Sequence, residues 1–177
     1  PAAAERRVRG DRVPERGACR AVGGRHPGHV RWLAPPLRDL REHRACPRYR
    51  VFDANLHVRA SAADRTTFAD VTVVCGAPTI DPADRTRQTV LNPSVLIEVL
   101  SPSTASDDRG PKLDCYKTIG SVRAVVLVAQ DEPSVVIHEL RADGTWSQAS
   151  YADGAVPLPA IGCSLSLTEI YEDLPDA

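Results

Sequence analysis

Beyond residue 50 the chain reads as short apolar runs cut by turn residues, a spacing that fits strands better than long helices. Phe52, Ala54, Leu56 and Val58 alternate with Asp53, Asn55, His57 and Arg59, which is the period of a half-buried strand. Residues 61–67 are polar and turn-like. Residues 68–75 predict a second strand, with Val71, Val73 and Cys75 on one face and Asp70, Thr72 and Val74 on the other. The polar, proline-flanked stretch 81–92 is expected to be a loop, and 94–100 a third, nearly continuous apolar strand interrupted by Glu98. Ser101, Pro102, Ser103 and Thr104 stop that strand and offer hydroxyl caps, after which 107–119 carries Leu113, Tyr116 and Ile119 at helical spacing. Residues 122–129 and 135–140 predict two further strands. Residues 146–151 pair after the Asp143-Gly144 turn signal, and 167–174 closes as a short helix. Upstream, 30–44 places Leu33, Leu37 and Leu40 on one helical stripe, against the cost of Pro35 and Pro36. This order of elements predicts a mixed α/β (α+β) domain whose sheet is flanked by helices.

Composition adds limits. A chain of 177 residues with 42% apolar and 25% charged side chains is expected to fold as one globular domain. No apolar run approaches the ~20 residues that cross a bilayer, and no continuous apolar stretch near the start follows a charged one, so neither a membrane span nor a secretion signal is expected. Five cysteines, Cys19, Cys46, Cys75, Cys115 and Cys163, are odd in number and never form C-x-x-C. Neither a disulfide framework nor a zinc cage is expected from them, and the expected location is the cytoplasm. The net charge of −1 hides an asymmetry: residues 1–50 hold 13 Arg, no Lys and 5 acids, and residues 51–177 hold 9 bases and 18 acids. Residues 1–49 therefore read as a basic, Arg-rich segment too poor in aliphatic residues to pack well, and 50–177 as the folded core.

Asp70 and Glu98 stand out, because both lie inside apolar strands where an unpaired carboxylate is expensive. If the two strands are neighbours, both acids can converge on one hard divalent cation, which prefers oxygen ligands and keeps waters that a substrate phosphate can displace. Lys112, one of two lysines, lies early in the helix that leaves the Glu98 strand, within reach of such a phosphate. The loop before that helix offers backbone N–H groups to an anion. Each residue also has a plainer role open to it: Asp70 as a strand end bonded to a neighbouring backbone, Glu98 at a solvent-facing edge, Lys112 as a helix-surface charge. Singly, the plainer role is the commoner one. A serine hydrolase built from Ser101 or Ser103 with His138 is a weaker pattern, since no G-x-S-x-G elbow exists. With Trp32 and Trp146 far apart and 5% aromatics, no base-stacking platform is expected, and residues 22–25 lack any phosphate-loop pattern.

Three segments, residues 68–76, 92–104 and 108–116, resemble the Uma2 family of restriction-endonuclease-like proteins, and 122–131, 158–163 and 167–171 are similar to its later strands and closing helix. The string Glu98-Val99-Leu100-Ser101-Pro102-Ser103-Thr104 is the most specific part. The resemblance implies the PD-(D/E)xK nuclease fold, with a mixed sheet and a divalent metal, Mg²⁺ or Mn²⁺. It makes Asp70 the first metal ligand, Glu98 the second, and Lys112 the catalytic cation supplied from the following helix. Ala69 stands where the family usually has proline, and Leu100 where the general motif has its lysine. At the front the family's opening helix and acidic hairpin are not recognisable beyond residues 21–24 and 26–44. The implied activity is Mg²⁺-dependent cleavage of DNA leaving a 5′-phosphate. Phosphate contacts from the basic segment or from Arg85, Arg87 and Arg109 could hold the DNA, and a symmetric homodimer is one assembly open to an enzyme that cuts both strands, although the sequence does not give the oligomeric state. The alternative is a catalytically inactive or degenerate domain of the same fold that binds nucleic acid or protein.

Overall fold

The computed structural model describes residues 18–19, 48–101 and 105–172. The expected helix over 30–44, the basic segment 1–47 apart from residues 18–19, and Pro102, Ser103 and Thr104 lie outside the described residues.

The centre of the fold is a six-stranded mixed sheet. In spatial order it runs β10 (Trp146–Tyr151), β9 (Val135–Leu140), β8 (Ala124–Ala129), β7 (Val95–Leu100), β5 (Val71–Cys75) and β2 (Tyr49–Asp53). Only β7 and β8 pair in parallel, Glu98 lying beside Leu127, and the other neighbours are antiparallel. A parallel pair needs a crossover, and two short helices, α1 (Ala105–Arg109) and α2 (Pro111–Lys117), lie within it. Burial on both faces explains why β7 and β8 read as continuous apolar runs instead of alternating ones.

Two smaller sheets cover the central one. One has the order β1 (Ala18–Cys19), β12 (Cys163–Ser166), β11 (Ala155–Leu158), and it joins α3 (Leu167–Ile170) over the face that carries Val71, Val73, Val95 and Ile97. The other has the order β4 (Arg65–Phe68), β3 (His57–Ala60), β6 (Thr89–Val90). It buries Val58, Ala60 and Val90 in the opposite core with Val74, Leu96, Leu113 and Tyr116. The predicted division of residues 70–75 between two faces therefore holds, and so does the mixed α+β class with few helices. Among the described residues no helix is long and apolar enough to cross a membrane.

Several boundaries differ from the pattern reading, each for a local reason. The single strand expected over 52–59 is two strands in different sheets, because Asp53 Oδ1 accepts the Asn55 backbone N–H at 3.0 Å and turns the chain. The polar stretch 61–67 contains β4, whose Thr67 is buried. The helix expected over 107–119 breaks at Gly110 (φ −116°, ψ −108°), since the ring of Pro111 disfavours helical geometry in the residue before it and suits the first position of a new helix. Glycine fits the break because a Cβ there would lie 3.1 Å from the Ser106 carbonyl oxygen. The short strands β11 and β12 were not predicted by the hydrophobic pattern, and only the family resemblance of 158–163 touched their ends. Cys115 and Cys163 are buried as expected, but Cys75 is disulfide-bonded, which departs from the expectation that no disulfide forms.

His138 occupies β9 opposite Val125, on the helix-covered face, and is 8% exposed. Burial, aided by the Lys117 charge, holds its pKa near 4, below the ordinary 6.5. The folded protein thus disfavours a proton that the unfolded chain accepts. Stability from this residue is complete above pH 6.5 and is lost as pH falls towards 4. The expected loss is on the order of 1–2 kcal/mol after solvent screening. Chemical denaturation of wild type and His138→Leu at pH 7 and pH 4.5 isolates it: the variant should gain on wild type by that amount at the lower pH, whatever other groups contribute to both.

Candidate active site

β5 and β7 pair antiparallel, with Val71 opposite Ile97, Thr72 opposite Leu96 and Val73 opposite Val95. Continuing that register by one residue sets Asp70 opposite Glu98, so the two acids share a face at the end of β5, as the neighbouring-strand expectation required. Asp70 is exposed, and its Oδ2 accepts the Val99 backbone N–H at 2.7 Å, which fixes the carboxylate against β7. The local reason is that β5 has ended: the Val99 N–H has no ladder partner there, and the short Asp side chain supplies one.

Glu98 is 2% exposed and faces the helix layer, which excludes the plainer role of a solvent-facing edge residue. Its Oε2 lies 2.8 Å from Lys112 Nζ, and its Oε1 lies 2.6 Å from the Tyr116 hydroxyl, which is also 3.1 Å from the Phe68 carbonyl oxygen. Burial pushes the Glu98 pKa up to about 7 from 4.5, with Lys112 and Tyr116 opposing the rise and the Asp70 charge adding to it. Burial would lower the Lys112 pKa, but the Glu98 carboxylate and then Asp108 outweigh it, so Lys112 stays firmly protonated. Burial and the Glu98 charge hold the Tyr116 phenol far above its usual range, leaving it a donor. Lys112 is not the solvated helix charge of the plainer reading: its side chain is 14% exposed and pairs with two acids, Glu98 and Asp108 Oδ1 at 3.0 Å.

The three expected residues are therefore brought together. Asp108 and Tyr116 belong with them and were missed. Lys112 and Tyr116, four residues apart, share one face of α2 pointing at β7, and Asp108, four residues before Lys112, reaches it across the break at Gly110. That spacing was readable, but Tyr116 fitted equally well as a core residue. Removing its hydroxyl leaves Glu98 Oε1 without a buried donor, so Tyr116→Phe should cost about 1–3 kcal/mol in urea denaturation with little change in far-ultraviolet dichroism.

Other expected residues lie outside this cluster. His138 lies in the row of Val125 and Leu96, five residues along β7 from Ser101, or about 16 Å, too far to activate its hydroxyl. Arg85, Arg87 and Arg109 are exposed on the 81–88 loop and at the end of α1. The loop is held by Asp84, which accepts from the Thr86 N–H and hydroxyl and from the Gln88 N–H. Among the described residues no group of three or more His, Cys, Asp and Glu is placed to hold a metal. Asp70 and Glu98 are the pair that could. Each carboxylate offers about four lone-pair sites and uses one or two on the donors above, and two carboxylates plus water and substrate oxygens is the usual share for Mg²⁺.

A mixed sheet that sets Asp70 opposite Glu98, with Lys112 reaching them from the crossover helix, defines a mixed α+β protein that gathers two acids and a lysine on one face. A profile of the Uma2 family, described as "Putative restriction endonuclease", matches residues 18–168, and the chain belongs to that family. The protein slr1290 of Synechocystis sp. is 31% identical over 124 residues, covering 69% of this chain and 63% of its own length. Another from the same organism, sll1609, is 29% identical over 82 residues, covering 46% of this chain and 45% of its own. The chain thus spans less than two thirds of both curated relatives. A crystal structure titled as a "putative nuclease belonging to DUF820" from Anabaena variabilis superposes with a TM-score of 0.54 at 20% identity, covering 70% of this chain and 68% of that one, a likeness of fold.

Proposed function

We propose that this chain is a Mg²⁺- or Mn²⁺-dependent endonuclease that hydrolyses DNA phosphodiester bonds. The observation that carries the reading is the convergence of Asp70, Glu98 and Lys112 on one face where β5 meets β7. Asp70 and Glu98 would hold the cation, which when bound supplies an activated water and neutralises charge developing on the phosphate. Asp70 is positioned by the Val99 N–H and Glu98 by the Tyr116 hydroxyl, so neither carboxylate must reorganise to bind. Two of the three ammonium N–H bonds of Lys112 point to Glu98 and Asp108, leaving one for a phosphate oxygen or the attacking water. Phosphate contacts from exposed Arg85, Arg87 and Arg109 would give affinity without sequence choice. Cutting both strands calls for two such sites, which a two-fold dimer would bring together.

One feature favours the inactive alternative: both Glu98 oxygens already have protein donors, as in a purely structural buried network. DNA binding followed by anisotropy, alongside cleavage of labelled duplex, separates the two. The endonuclease reading expects cleavage with 5′-phosphate ends in Mg²⁺ and none in EDTA. Equal DNA affinity with and without metal, and no cleavage in either, would overturn it in favour of a binding domain.

A further inference from the structure

Lys112 is shared between two buried acids. Its Nζ lies 2.8 Å from Glu98 Oε2 and 3.0 Å from Asp108 Oδ1, and the two acids are 2% and 3% exposed. Glu98 and Lys112 alone would form a neutral pair. Asp108 adds a second buried negative charge, giving the ionised trio a net −1, an excess that is expensive inside a protein unless something offsets it. Asp108 reaches the site from α1, across the break at Gly110, so a separate element is spent on placing it. A bond to Lys112 from an exposed residue would add only a few tenths of a kcal/mol, which does not account for a carboxylate carried into the core.

We infer that Asp108 is the positioning residue of Lys112: by taking one ammonium N–H it holds the lysine on the helix side and keeps Lys112 from neutralising Glu98 outright, so that the Asp108–Lys112–Glu98 cluster keeps a net negative charge for the cation. The inference rests on the proposed metal-dependent reading. It predicts that Asp108 governs metal affinity without touching the metal, because without it the whole Lys112 charge falls on Glu98 and competes with the cation.

The test is calorimetric titration of Mn²⁺ into the full chain as wild type, Asp108→Asn and Asp108→Glu, each checked for folding in EDTA. Asp108→Asn should bind Mn²⁺ about tenfold or more weakly, while Asp108→Glu, which keeps the charge on a longer arm, should stay within about threefold of wild type. A purely structural Asp108 would give the opposite rescue, since the larger Glu disturbs packing more than Asn. If Asp108→Asn does not fold, Asp108→Glu decides alone: retained affinity supports the inference and a tenfold loss overturns it. Equal affinity in wild type and folded Asp108→Asn overturns the inference and leaves the endonuclease reading intact. Absence of Mn²⁺ binding to wild type overturns both.

Discussion

Lys112→Met should destabilise the protein by about 3–5 kcal/mol, the usual consequence of removing one partner from a buried ionic cluster. Methionine nearly matches the lysine stem in volume, so the loss reports the charge and not a cavity. What remains is two buried carboxylates, Glu98 and Asp108, that faced the same ammonium and now face each other's charge without it. Adding Asp108→Asn to Lys112→Met should therefore recover part of the loss, a non-additivity that unrelated sites would not show. Urea denaturation in EDTA measures all four members of this cycle. In the same variant cleavage should fall by about 10²–10³-fold, the cost of removing one preorganised donor to a developing charge.

Glu98→Gln should act in the opposite sense on stability and more severely on metal. The amide oxygen still accepts from the Tyr116 hydroxyl, and Lys112 keeps Asp108 as its partner, so the core loses a charge it had held at a cost, as the pKa raised to about 7 indicates. The metal-free variant should unfold at or above the wild-type temperature. Its response to cation should vanish: at this depth a unit charge a few Å from a partner is worth about 4 kcal/mol, so a hundredfold weaker affinity is the expected lower limit. A concentration of Mn²⁺ near 100 times the wild-type Kd should stabilise wild type by about 2.7 kcal/mol and leave Glu98→Gln unmoved. An equal shift in both would place the cation elsewhere.

How far the sequence could be read varied with how local the cause was. The strands β7 and β8 were legible because burial on both faces leaves an uninterrupted apolar run. The break between β2 and β3 was hidden, because Asp53 and Asn55 continue the alternating pattern while their side chains turn the backbone. Gly110-Pro111 was a legible helix break that the spacing of Leu113, Tyr116 and Ile119 obscured. At the site, Asp70 and Glu98 were conspicuous as charges inside apolar runs, and the register of β5 against β7 supplies the proximity that spacing alone could not. Asp108 read as an ordinary acid in the first turn of a predicted helix. Its burial depends on α1 packing against α2 and β7, a tertiary effect without a local signal.

Nicking of supercoiled plasmid by purified wild type and Glu98→Gln, side by side in Mg²⁺ and in EDTA, tests the central claim most directly. The account predicts nicking by wild type in Mg²⁺ only, and none by the variant. Nicking by Glu98→Gln at the wild-type rate, or a folded wild type that leaves the plasmid intact in Mg²⁺ and in Mn²⁺, would contradict it.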